Sequence, residues 1–130
     1  MENGSRPAEG RHRKVLRASA IDMHALATDM RRRRGHIPPD EPPGYVDAFS
    51  AALRDRARLL EGIAGSSTCA QAKKAALELV NPHSHGSPEH LAHERATGAL
   101  LTIVNMLAQR ERLDPYEGLR RGDRHDPAGS

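Results

Sequence analysis

The segment that decides the fold is SPEHLAHERATGALLTIVNMLAQRERL, residues 87–113. It opens with the signature of a helix start. Ser87 can accept a hydrogen bond from a first-turn amide, Pro88 suits the first helical position, and Glu89 favours the positive end of the helix dipole. Between Ala99 and Ala108 the only polar residues are Thr102 and Asn105. A helix this apolar is expected to be covered on most sides, either as the central helix of a bundle or as half of a dimer interface. Gly98 lies inside it, where glycine costs about 1 kcal/mol relative to alanine. That cost predicts a close helix crossing at Gly98. Asn105 on such a face would set partner register or simply meet a neighbour or solvent.

Outward from this helix, the nine prolines mark where helices cannot run, because proline lacks the N–H and clashes with the preceding turn. Leu16, Ala20, Met23, Ala27 and Met30 recur at spacings of four and three, one apolar stripe of a helix over about 13–34. Gly35 to Gly44 holds four prolines and reads as a stiff connection. Val46, Phe49, Leu53, Ala57, Leu60 and Ala64 form the stripe of a second helix over 45–64. Ser66, Ser67 or Thr68 can cap a third over about 67–80, with Cys69, Ala72, Ala76, Leu79 and Val80 as its face. The fourth spans 88–113.

The expected fold is therefore all-α. It is a small four-helix bundle in one domain, residues 11–113, with disordered tails at 1–10 and 114–130. Aromatic residues are limited to Tyr45, Phe49 and Tyr116, and β-branched residues are sparse, which disfavours sheets. The core must come from Ala, Leu, Val, Ile and Met. A single cysteine, Cys69, excludes an internal disulfide framework and fits a reducing, cytoplasmic setting. The polar N-terminus lacks the apolar core of a signal peptide, and the Ala96–Ala108 stretch is too short to span a bilayer. Arg outnumbers Lys 17 to 3, and Ala, Gly and Pro are abundant, a bias expected of a GC-rich bacterial genome.

Three surfaces are candidates for function. The first is basic. The net charge is +3 overall, but residues 1–34 alone carry +5, with Arg31, Arg32, Arg33 and Arg34 at the end of helix one. Such a run can neutralise phosphates and give salt-dependent nucleic-acid binding. It can equally be a solvated end that complements the helix dipole, with four consecutive side chains pointing four ways. No aromatic platform for stacked bases accompanies it.

The second is the histidine group His83, His85, His90 and His93, with Glu94 adjacent. Converging imidazoles could hold zinc. The order His-x-x-His-Glu differs from the His-Glu-x-x-His of zinc proteases, and polar helix starts collect histidines without function. The third is Cys69. A thiol near a helix N-terminus can be reactive, but Cys69 falls on the stripe with Ala72 and Ala76 and reads as a small buried hydrophobe.

His93 to Leu101, with its Ala-x-Gly-x-Leu core, and the later Leu-x-x-x-x-x-Leu-Arg-Arg from Leu113 to Arg121 loosely resemble the RNA-binding ANTAR module of bacterial regulators. The resemblance covers under a third of the chain. The intervening helix is several residues too long, and Tyr116-Glu117 replaces the expected Ala-Phe pair, so the chain is not assigned to that family.

No phosphate loop, dinucleotide fingerprint or nucleophile elbow is present in the sequence. The reading that results is a non-enzymatic interaction, adaptor or regulatory protein without a required cofactor. It self-associates as a homodimer through Leu100, Leu101, Val104 and Leu107 of helix four. An ordered core of this modest size buries only part of its surface, which favours a partner.

Overall fold

The computed structural model describes residues 6–32 and 44–113. They form four helices and no strand: α1 (Arg6–Arg32), α2 (Tyr45–Ile63), α3 (Cys69–Leu77) and α4 (Pro88–Arg110). Of the expected tails at 1–10 and 114–130, residues 1–5 and 114–130 lie outside the described residues, while residues 6–10 are helical rather than part of a tail. No helix among the described residues is long and apolar enough to cross a membrane.

Helix α1 starts a full turn and more before the expected position near residue 13. Pro7 opens the helix instead of preceding it, which is where proline's missing N–H does no harm. Helix α2 begins after Gly44, whose φ of 85° places it in the left-handed region that glycine tolerates. Thr68 and Gln71 form a reciprocal capping box on α3. Ser87 accepts from the His90 amide at 3.0 Å to start α4, with Pro88 in its first turn.

Helix α3 ends at Leu77, short of the expected Val80. The last amide bonds close on Glu78 and Leu79, and Asn81-Pro82 cannot continue the helix. Leu79 and Val80 are consequently not on a buried helix face. They are 41% and 83% exposed.

The core is built from Val15, Leu16, Met23, Leu53, Leu60, Leu100 and Val104 with many alanines between them. Alanine at the contacts lets the helices approach closely. The most extensive packing joins α1 to α2 and α2 to α4, while α3 lies chiefly on α4. The central element is therefore α2, not α4. Helix α4 buries one face, Ala92, Ala96, Leu100, Val104 and Ala108, at a strict four-residue repeat. Leu101, Ile103 and Leu107 flank that face half-buried, and Gly98, Thr102 and Met106 point outward. The all-round apolar pattern of 99–108 thus resolves into a buried row with apolar shoulders. The outermost positions carry small or flexible residues.

Two further expectations for α4 change. No helix among the described residues crosses at Gly98, since a Cβ added there meets nothing within 4 Å. Asn105 takes the ordinary role: its Oδ1 accepts from Lys73 Nζ at 2.6 Å and ties α4 to α3. A smaller cluster at the other end stacks Tyr45 on Phe49, with ring centroids 5.6 Å apart. Arg95 of α4 lies over the Tyr45 ring and donates to its hydroxyl at 3.2 Å.

Candidate functional site

A groove of about 520 Å³ opens between α2, the 78–87 connector and the first turns of α4. Ala48, Ala51 and Ala52 of α2 supply an apolar wall, and Leu79, Val80 and Pro82 of the connector supply an apolar lip. Asp55, Arg56, His83, Glu89 and His93 add polar groups to the lining. The connector is held in place by Asn81. Its amide donates to the His90 carbonyl at 3.0 Å and to Glu94 Oε2 at 2.9 Å.

Arg56 is the unexpected residue of this site. It is 2% exposed, on the face of α2 that also buries Leu53 and Leu60. Its Nε and Nη2 donate to the Thr97 hydroxyl at 3.1 and 3.0 Å, and Nη1 donates to the Ala52 carbonyl at 3.2 Å. Nη2 also donates to the His93 carbonyl at 3.2 Å and lies 3.1 Å from both His93 ring nitrogens, one of which accepts. Every acceptor is neutral. Among the described residues no carboxylate oxygen comes within 4.0 Å of the guanidinium.

Burial pulls the Arg56 pKa below its ordinary value, against the opposing pull of Asp55 and Glu94. Burial first, and then the Arg56 charge, push the His93 imidazole below its usual value. The neutral form of His93 is the one that can accept from Arg56. Glu94 is held below the usual carboxylate range first by the Asn81 amide.

The four histidines do not form one cluster. His83 and His93 meet edge to face with centroids 6.1 Å apart, and His85 and His90 pair at 4.3 Å. Among the described residues no three of His, Cys, Asp or Glu are arranged to hold a metal ion, and His83, His85, His90 and His93, the residues expected to hold zinc, stand as two separate pairs. The geometry follows from the chain. His85 and His90 flank the Ser87 cap, while His93, one turn further on, faces Arg56.

Of the basic run, Arg33 and Arg34 lie outside the described residues, and only Arg32 has a described side chain, which is exposed. Among the four residues expected to self-associate, Leu100 and Val104 are 0% exposed. They are committed to the chain's own core and cannot form an interface between folded copies. Leu101 and Leu107 are half-buried against that core. Cys69 is fully buried. Its backbone N–H donates to Nδ1 of His12 at 3.0 Å, so a histidine from α1 satisfies a first-turn amide of α3.

A second polar network crosses α1 and α2. His24 Nε2 lies 3.2 Å from Glu61 Oε2, and Arg54 reaches both His24 Nδ1 at 3.2 Å and the Thr28 hydroxyl at 2.8 Å. Both imidazole nitrogens are engaged, which makes this a surface brace between the two helices.

Sequence reasoning passed over Arg56 and His12, yet a signal for both was present. Phe49, Leu53, Arg56 and Leu60 keep the spacing four, three, four, so Arg56 occupies a core position of the stripe. His12 continues the α1 stripe one turn before Leu16. A charged or polar residue in register with an apolar stripe marks a buried polar group needing partners. Comparison with family models finds no match, and neither curated proteins nor solved structures match the chain at a significant level.

Proposed function

We propose that this chain is a non-enzymatic binding protein of the adaptor or regulatory kind, docking a polypeptide partner along the groove and its apolar lip. One observation carries the reading. Six large apolar side chains stand exposed among the described residues, and four of them, Leu77, Leu79, Val80 and Leu91, fall between the end of α3 and the first turns of α4. Apolar side chains gathered beside a concave site mark an interaction surface better than the same residues scattered singly.

Selection of a displayed peptide library against the full chain tests this without a known partner. Val80→Asp and Leu79→Asp alter exposed lip positions, so stability should stay within about 0.5 kcal/mol. The selected peptides should bind each variant about tenfold more weakly. Ile21→Asp, an exposed apolar site on α1 at 66%, serves as the control and should bind like the parent. Failure of selection, or peptides indifferent to Val80 and Leu79, would remove the reading.

A second copy of the chain is a second reading, for the outer side of α4. It is favoured by Gly98, whose helical cost no contact among the described residues offsets, and by Met106, which is 47% exposed. Gly98→Ala should stabilise the isolated chain by about 0.5–1 kcal/mol. By light scattering it should also weaken self-association, because a methyl group would intrude on a close approach. A parent protein that scatters as a 14.2 kDa monomer at micromolar concentration would discard this second reading.

A further inference from the structure

We propose that the groove captures the C-terminal residue of a polypeptide, its free carboxylate taken by Arg56 and its apolar side chain by the alanine wall and the Leu79–Val80 lip. The inference rests on the docking reading above and specifies its chemistry. Arg56 is the one permanent cation among the groove's lining residues. It is buried, yet its hydrogen-bond partners are all neutral: the Thr97 hydroxyl, the Ala52 and His93 carbonyls and the His93 ring. A buried charge is costly unless a counter-charge meets it, and a guanidinium beside a carboxylate forms the strongest such pair. Nη1 carries two N–H groups, and its one bond among the described residues is to the Ala52 carbonyl.

The nearby carboxylates among the described residues are occupied elsewhere. Asp55 accepts from Arg58 at 3.0 Å, and Glu94 accepts from Asn81 at 2.9 Å. A Cβ placed on Gly44 would lie 3.7 Å from Glu89 Oε2, so that carboxylate sits at the positive N-terminal end of α2. Their remaining field lowers the affinity for anions in general, and selectivity must then come from apolar contact beside the charge.

The shape favours a chain end. Ala48, Ala52 and Arg56 follow one another at four-residue spacing along α2, which puts charge and apolar wall side by side. The ligand's carboxylate and apolar group must therefore belong to the same residue. An Asp or Glu within a chain would drag polar backbone on both sides against the alanines, where its N–H and C=O groups lose their hydrogen bonds. The volume of about 520 Å³ falls in the range of small-ligand sites, and capture of a terminal carboxylate is an established mode of peptide recognition.

The test is a titration of the full 130-residue chain, followed by amide and Arg Nε–H NMR signals, with three probes: N-acetyl-L-leucine, N-acetyl-L-leucinamide and hexanoate. The acid should shift the signals of Ala52, Arg56 and His93 with a millimolar Kd, and the amide should bind about tenfold more weakly or not at all. Arg56→Met should abolish the preference for acid over amide. Equal binding of acid and amide, no shift with either, or an Arg56→Met variant that keeps the preference would overturn the proposal. Hexanoate binding as tightly as N-acetyl-L-leucine would overturn the chain-end assignment in favour of a free aliphatic acid. The docking reading fails separately, since library peptides that depend on Val80 but tolerate C-terminal amidation would keep it while discarding the carboxylate.

Discussion

Leu100→Ala should lower the unfolding free energy by about 3–4 kcal/mol, near the upper part of the range for leucine truncation in cores. Leu100 is 0% exposed at the middle of the buried row of α4. Large side chains are scarce in this core: among the described residues only the aliphatic side chains of Leu16, Met23, Leu53, Leu60 and Leu100 are both long and wholly buried, and alanines fill many of the remaining core positions. Ala96 and Val104, one turn to either side on α4, are too short to collapse into the space, so the cavity term should be retained almost whole. Met106→Ala, six residues along the same helix but 47% exposed, should change stability by less than about 0.5 kcal/mol. Urea unfolding of the two variants followed by circular dichroism separates them. Comparable losses in both would contradict the exposed outer side of α4 and would mean that a second copy covers it.

The contrast between Leu100 and Met106 also shows what was legible in the chain. Helix positions could be read because prolines and caps are local: Pro88 with Ser87 and Thr68 with Gln71 act within one turn. Two boundaries could not be read locally. Pro7 works either as a breaker or as a first-turn residue, and the outcome depends on whether α1 finds a surface to extend along. Leu79 and Val80 continue the apolar pattern of α3, but the turn at Glu78 and the grip of Asn81 on α4 take them out of the helix. Losing those residues from the core is what creates the lip of the groove. The central place of α4 was misjudged for another reason. Hydrophobicity counts half-buried shoulders such as Leu101 and Leu107 the same as buried residues, and only packing distinguishes them.

The site itself was half visible. Proximity in sequence grouped His83, His85, His90 and His93, and the fold separates them into pairs because the Ser87 cap turns the chain between them. Arg56 was legible as a charged residue in a core register. What sequence could not supply is the identity of its partners, Thr97 and His93, which lie 41 and 37 residues away on α4.

Arg56 yields the second large effect, and a pair of substitutions divides it. Arg56→Ala should cost about 2–4 kcal/mol, because it removes the stem packed between α2 and α4, opens a cavity and strips the Thr97 hydroxyl and His93 ring of their donor. Arg56→Met keeps most of the stem's volume and removes a buried charge that meets no carboxylate among the described residues, so its cost should stay below about 1 kcal/mol. Both variants should raise the His93 pKa toward its ordinary value, because the Arg56 charge is the second cause of its depression; burial, the first, remains. The sign of the linked stability follows. In the unfolded chain His93 takes its proton near pH 6.5, while in the folded chain it does so only lower. Stability is therefore fullest above 6.5 and declines as the pH falls from there to the folded pKa. In Arg56→Met this window should narrow. Urea midpoints at pH values of about 7.5 and 5.5, with imidazole NMR titrations, measure both effects. A Met variant as unstable as the Ala variant would show that the guanidinium's hydrogen bonds outweigh its desolvation, and an unmoved His93 titration would contradict the contact between the two side chains.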